Sequence, residues 1–245
     1  MIFILLLIIL FPFIGMSLKK MKDFSELKKI ISNKIEYKDI DFSDLFSGLH
    51  LILNILVIVL IIQKKDITVL ILLSIFADLF RGFSMLYSED KKALKIGLNR
   101  ICSILKYGFV FLLFIPVYKF LNGTFLLCDT SEKFILVSVP LFFIAFLFAS
   151  VVKLDFLDEF DDEFLYVSKI SATFLILGRQ FEIIVILLLL SLFYVKFSIF
   201  AFIISFVLLF IIYNLAKNLS KLNFLYIVSV FLGFLNILYL IFLKS

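Results

Sequence analysis

The chain has no tryptophan, one histidine, two cysteines, three prolines and eight glycines among its 245 residues. Each scarcity removes a class of function. A zinc site needs three or four clustered His, Cys or carboxylate donors, and the spacing here offers none. Cys102 and Cys128 fall at opposite ends of one expected helix, too far apart for a disulfide. His50, with no second histidine to join it, is read as packed or interfacial rather than as a metal ligand. The few glycines form no phosphate cradle and no nucleophile elbow, so nucleotide-binding and hydrolase chemistries are poorly served. Without tryptophan the usual interfacial aromatic belt is missing, and the nine tyrosines replace it only in part.

What is present is apolar. The chain is 64% hydrophobic with a mean hydropathy of +1.20, far above a soluble domain. This composition indicates an all-α polytopic membrane protein, a single transmembrane helical domain over 1–245 with seven or eight spans. The 34 phenylalanines, the many Ile and Lys and the absent Trp point to a biased nucleotide composition, so no single Phe is given a role. Net charge is +5, but the lysines cluster beside apolar segments. That suits anionic headgroups and topology control, with the lipid bilayer and not nucleic acid as partner.

Residues 1–17 form an apolar segment followed by Lys19, Lys20 and Lys22, the reverse of a secretory signal, so an uncleaved first span is expected. A charged connector fills 18–44. Further apolar segments cover 45–63, 67–87, 101–121, 134–152, 173–195, 197–216 and 222–243. Segment 67–87 either spans, burying Asp78 and Arg81, or lies flat at the interface. If it spans, most Lys and Arg gather on the side bearing 18–44, 89–107, 153–172 and 216–221; if it lies flat, they divide evenly. The positive-inside rule favours the span and a cytoplasmic connector, in the cytoplasmic (inner) membrane. Pro116 and Pro140 are expected inside spans.

The loop 153–163 carries six carboxylates, Asp155, Asp158, Glu159, Asp161, Asp162 and Glu163, without the spacing of a calcium loop. It reads as a solvated patch for a soluble partner, with Asp158, Asp161 and Asp162 as docking contacts. The buried charges are more telling. Arg179 and Glu182 stand three apart in the 173–195 span, on one helix face, as do Asp78 and Arg81 in 67–87. Intramembrane charges are costly and usually paired or functional. Desolvation disfavours a charged carboxyl group and a neighbouring guanidinium favours it, so Glu182 is placed to change protonation, as a proton relay requires. A static Arg–Glu pair joining two helices fits the same residues. Lys106 and Lys217 are long enough to snorkel to an interface.

The order of features resembles a membrane protein family shared by respiratory complex I (NADH-quinone oxidoreductase) and membrane-bound NiFe hydrogenases, the member that lies beside the quinone site or electron-delivering arm. Phe76-Ala77-Asp78 leads through Met85-Leu86-Tyr87 to Ser88-Glu89-Asp90. Ile115-Pro116 ends a span, Cys128-Asp129 supplies the acidic loop residue, and Phe181-Glu182-Ile183 precedes the aliphatic run Leu187–Leu190. The chain departs from the pattern at Lys64-Lys65-Asp66 and at Ala216-Lys217-Asn218, and is shortened relative to that family. The resemblance implies a non-catalytic anchor protein without a cofactor of its own. Its partners would be other membrane subunits and a soluble redox arm of hydrogenase-like or iron–sulfur subunits. Glu182, with Arg179, Asp78 and Arg81, would belong to a proton path. Readings from other classes are a stand-alone secondary transporter using the Arg179/Glu182 pair, or a purely structural membrane component.

Overall fold

The computed structural model describes residues 41–88, 90–127, 138–154, 167–194, 199–219 and 222–242. The first apolar segment, most of the 18–44 connector, Cys128-Asp129 and the acidic loop with Asp158, Asp161 and Asp162 lie outside these. The described residues form seven helices and no sheet. They are α1 (Phe42–Ile62), α2 (Ile67–Leu86), α3 (Lys91–Asn122), α4 (Pro140–Leu154), α5 (Lys169–Ser191), α6 (Ile199–Leu219) and α7 (Leu222–Phe242). In α1, α2, α3, α5 and α7 the helix is long and apolar enough to cross a membrane. A helical bundle satisfies its own backbone groups, which lipid cannot do.

Hydropathy alone misplaces the start of α3. α3 begins ten residues earlier than its apolar segment, because Asp90 caps it by accepting from the Lys92 amide at 2.7 Å. In that first stretch Ala93, Ile96, Gly97 and Arg100 are buried, at helical spacing, while Lys91, Lys92 and Lys95 are exposed. The 32 residues of α3 reach about 48 Å, more than a hydrocarbon core of about 30 Å requires. Pro140, expected inside a span, instead opens α4, where a missing amide proton costs nothing.

Two interactions define the ends of the bundle. At one end the α1–α2 and α3–α4 connections pair, with the Ile67 amide on the Phe125 carbonyl at 2.8 Å and the Leu127 amide on the Lys65 carbonyl at 3.3 Å. Gly123 ends α3 there at φ 71°, the left-handed conformation glycine adopts without strain. At the other end Asp44 of α1 caps α5 from a neighbouring helix. Its Oδ1 accepts from the Ser171 amide at 3.1 Å, the Ser171 hydroxyl at 2.6 Å and the Ser168 hydroxyl. Ser43 donates to the Ser84 carbonyl at 2.8 Å, and Ser84 returns a bond to the Ser43 carbonyl at 3.0 Å. The N-termini of α1 and α5 and the C-terminus of α2 are thereby tied together.

α2 packs between α1 and α3 and also touches α5; α4 is surrounded by α3, α5, α6 and α7. Phe111, Phe114, Phe142, Phe146 and Phe193 fill the space around α4, with Phe111–Phe146 centroids at 4.5 Å and Phe114–Phe193 at 4.8 Å. These rings, given no role by composition, form the centre of the core. α1, α6 and α7 turn Ile52, Phe200 and Phe231 outward, the apolar exterior of a membrane bundle. α2 and α3 cross closely at Gly82 and Gly97. A Cβ on Gly97 would lie 2.9 Å from the Gly82 carbonyl oxygen and 2.9 Å from Met85 Cβ. Backbone on both sides leaves little room to give, so Gly97→Ala is expected to destabilise the bundle by about 1–3 kcal/mol. Thermal unfolding of the detergent-solubilised variant checks this, and an unchanged midpoint would refute the close crossing.

Candidate functional site

The interior is not uniformly apolar. Midway along the bundle five helices each contribute a buried polar or charged side chain: His50 and Asn54 (α1), Ser74, Asp78 and Arg81 (α2), Tyr107 (α3), Lys153 (α4), Arg179 and Glu182 (α5). Helical periodicity explains the set on α2. Ser74, Asp78 and Arg81 are spaced by four and three, so they share one face, together with buried Leu70, Ile71, Ala77 and Met85. That face is turned into the bundle, and Asp78 and Arg81 are 6% and 3% exposed.

The ion pairs run between helices. Glu182 Oε2 meets Arg81 Nη1 at 3.3 Å, joining α5 to α2. Asp78 Oδ2 meets Lys153 Nζ at 2.5 Å, joining α2 to α4. Glu182 and Asp78, read from the sequence beside Arg179 and Arg81 on their own helices, thus also reach cations on facing helices. Arg179 donates to the Leu154 carbonyl at the C-terminus of α4. There it complements the negative end of that helix. It still acts on Glu182 through space, as do Lys153, Arg81 and His50. Facing helices bring opposite charges head to head within the low-dielectric interior.

Lys153 is caged. Its ammonium donates to Asp78 Oδ2 and to Ser74 Oγ at 2.9 Å, with the Ser74 carbonyl at 3.5 Å. It sits 5.4 Å from the Tyr107 ring centroid and 5.5 Å from that of Phe111. Tyr107 donates its hydroxyl to the same Asp78 oxygen at 2.6 Å. Two carboxylates and three cations thus meet inside one bundle. Such an arrangement is able to move charge by changing partners, because each carboxylate has more than one charged group within electrostatic reach.

All four sequence-derived interior residues, Asp78, Arg81, Arg179 and Glu182, are buried in this one region. Sequence reasoning does not single out Lys153 or Tyr107. Lys153 follows an apolar run and precedes the acidic loop, which makes it look interfacial; Lys106, conspicuous in the sequence, is half-buried, and its neighbour Tyr107 turns inward. His50 is packed, between α1, α2 and α5, with Nδ1 2.8 Å from the Ala77 carbonyl. Asn214, Lys217 and Asn218 have side chains outside the described residues. No group of three His, Cys, Asp or Glu able to hold a metal ion occurs among the described residues.

Comparisons with protein-family models, curated proteins and solved structures find no match. The chemistry of the site is therefore the guide to what it does. Lys153→Met strands Asp78 as a buried charge, and loss of about 3–5 kcal/mol is expected. Combining it with Asp78→Asn should recover most of that loss, as read by unfolding or by yield of folded protein. Equal damage in the single and double variants would contradict the pairing.

Proposed function

We propose that the chain is a membrane-anchor and ion-coupling subunit of a complex I-like or membrane-bound hydrogenase-like oxidoreductase complex. It would sit in the cytoplasmic membrane through seven or eight spans. One observation supports this above the others: Glu182 and Asp78 lie in the bundle interior and pair across helices, with Arg81 and Lys153. Interhelical pairs respond to helix movement in a way that pairs within one helix do not, so a partner docked at one end of the bundle has a physical handle on them. In this reading Glu182 is the relay carboxylate, Arg81 and Lys153 set its surroundings, and Arg179 and Asp78 extend the path. The chain carries no cofactor. Redox chemistry belongs to a soluble arm of hydrogenase-like or iron–sulfur subunits, docked by Asp158, Asp161 and Asp162, with other membrane subunits alongside.

A second reading has an observation of its own. α2 lies within the bundle between α1 and α3, whereas the family that the sequence resembles is expected to lay this helix flat. That favours a stand-alone secondary transporter in which the Arg81/Glu182 pair binds a proton or solute. Purification in mild detergent separates the two. Redox subunits should co-purify under the first reading, and a lone species under the second.

The relay itself is tested at Glu182. Glu182→Gln keeps shape and most hydrogen bonding, so assembly is expected to hold while coupled ion movement in membrane vesicles falls about a hundredfold or more. Failed assembly, rescued with normal coupling by adding Arg81→Gln, would show a purely structural pair.

A further inference from the structure

Three buried acceptors on α1 and α2 have no donor among the described residues. His50 is fully buried, and its Nδ1 faces the Ala77 carbonyl oxygen. A carbonyl only accepts, and at 2.8 Å it outweighs the Asn54 Nδ2 amide, 3.3 Å from the same nitrogen, so the proton is assigned to Nδ1 and Nε2 presents a lone pair. Asn54, also fully buried, donates Nδ2 to the His50 carbonyl at 2.9 Å, which leaves Oδ1 as the open end of the amide. Asp78 receives both Tyr107 and Lys153 on Oδ2. His50 Nε2, Asn54 Oδ1 and Asp78 Oδ1 are each buried without a hydrogen-bond partner among the described residues. Buried polar groups in folded proteins are almost always satisfied, by ordered water where protein does not reach. An occupant of these acceptors must donate, which water does.

Register brings His50 and Asn54 of α1 level with Gly178 and Glu182 of α5. α1 and α5 start at the same end, through the Asp44–Ser171 bonds, and run side by side. They touch where His50 packs on Gly178: a Cβ there would collide with His50 Cδ2 and lie 2.8 Å from Nε2, so glycine makes room for the ring. One helical turn further along each helix stand Asn54 and Glu182, at the same level. The charges that bear on His50 are Glu182 from α5, Arg81 from α2 and Lys153 from α4.

We propose that water bound internally between α1 and α5, held by His50 Nε2 and Asn54 Oδ1, carries protons between the Glu182 carboxyl group and His50. This rests on the relay reading of Glu182. In the step, the Glu182 O–H gives its proton to the water, and the water gives one of its own to Nε2. One carboxyl O–H bond breaks, one imidazole N–H bond forms, and the water is regenerated. The products are a carboxylate already facing Arg81 and an imidazolium whose Nδ1 proton stays on Ala77. The second O–H of the water remains on Asn54 Oδ1, making Asn54 the positioning residue for the bridge.

The chain's single histidine makes the test clean. Full-length protein with nitrogen-labelled histidine, in lipid nanodiscs, gives the NMR signals of one imidazole. The expected spectrum shows the Nδ1-protonated tautomer, with magnetisation transferred from water to Nε2. That transfer should be lost in Asn54→Leu and kept in Glu182→Gln. A dry Nε2 in the wild-type chain, an Nε2-protonated tautomer, or water transfer that survives Asn54→Leu overturns the proposal. The wild-type measurement stands whether or not Asn54→Leu folds. A dry Nε2 with coupled ion movement lost in Glu182→Gln overturns this site alone. A wet Nε2 with normal coupled movement in Glu182→Gln overturns the relay, and the proton step with it.

Discussion

Charge that cannot reach water has to find charge of the opposite sign, and in this bundle that requirement decides which helices are neighbours. Asp78 on α2 is held by Lys153 on α4, and Glu182 on α5 by Arg81 on α2. α2 is the common member, one turn of it supplying an anion to one helix and a cation to another. Removing any one of the four takes a direct ionic partner from a buried charge, a larger penalty than the loss of a surface ion pair. The apolar core and the phenylalanine cluster give the bundle its cohesion. The ion pairs give it its arrangement, because few rotations of α2 satisfy both neighbours at once.

Around that constraint the packing is built from small residues and hydroxyls. Gly82 and Gly97 let α2 and α3 approach, Gly178 admits the His50 ring, and the Asp44–serine cluster ties α1, α2 and α5 at one end. In a membrane these devices matter more than in water, since lipid tails compete with apolar side chains on nearly equal terms. Close backbone contact and satisfied polar groups therefore carry the specificity that hydrophobic burial alone cannot supply.

Much of the helical layout is legible in the sequence because a span is signalled locally, by the length of an apolar run. α2 and α7 match their segments to within a residue, while the start of α3 is hidden because Lys91, Lys92 and Lys95 disguise an amphipathic first stretch. The site is only half legible. Asp78, Arg81, Arg179 and Glu182 betray themselves as charges amid apolar residues, but their partners are set by tertiary packing that no local pattern encodes. Arg179 and Glu182 stand out at three residues' spacing, but the cation that α2 brings to Glu182, Arg81, has no local signal. Lys153 is hidden by lying where a lysine is usually interfacial, and Tyr107 by standing beside the more conspicuous Lys106.

Cross-helix pairing of Glu182 with Arg81 is the central claim, and exchanging the two charges interrogates it directly. The swap Arg81→Glu with Glu182→Arg preserves an opposite pair across α2 and α5, whereas Arg179→Glu with Glu182→Arg preserves one along α5 only. Folded yield in membranes is the measurement. Recovery with the first swap, and not with the second, is expected; recovery with the second alone would contradict the pairing.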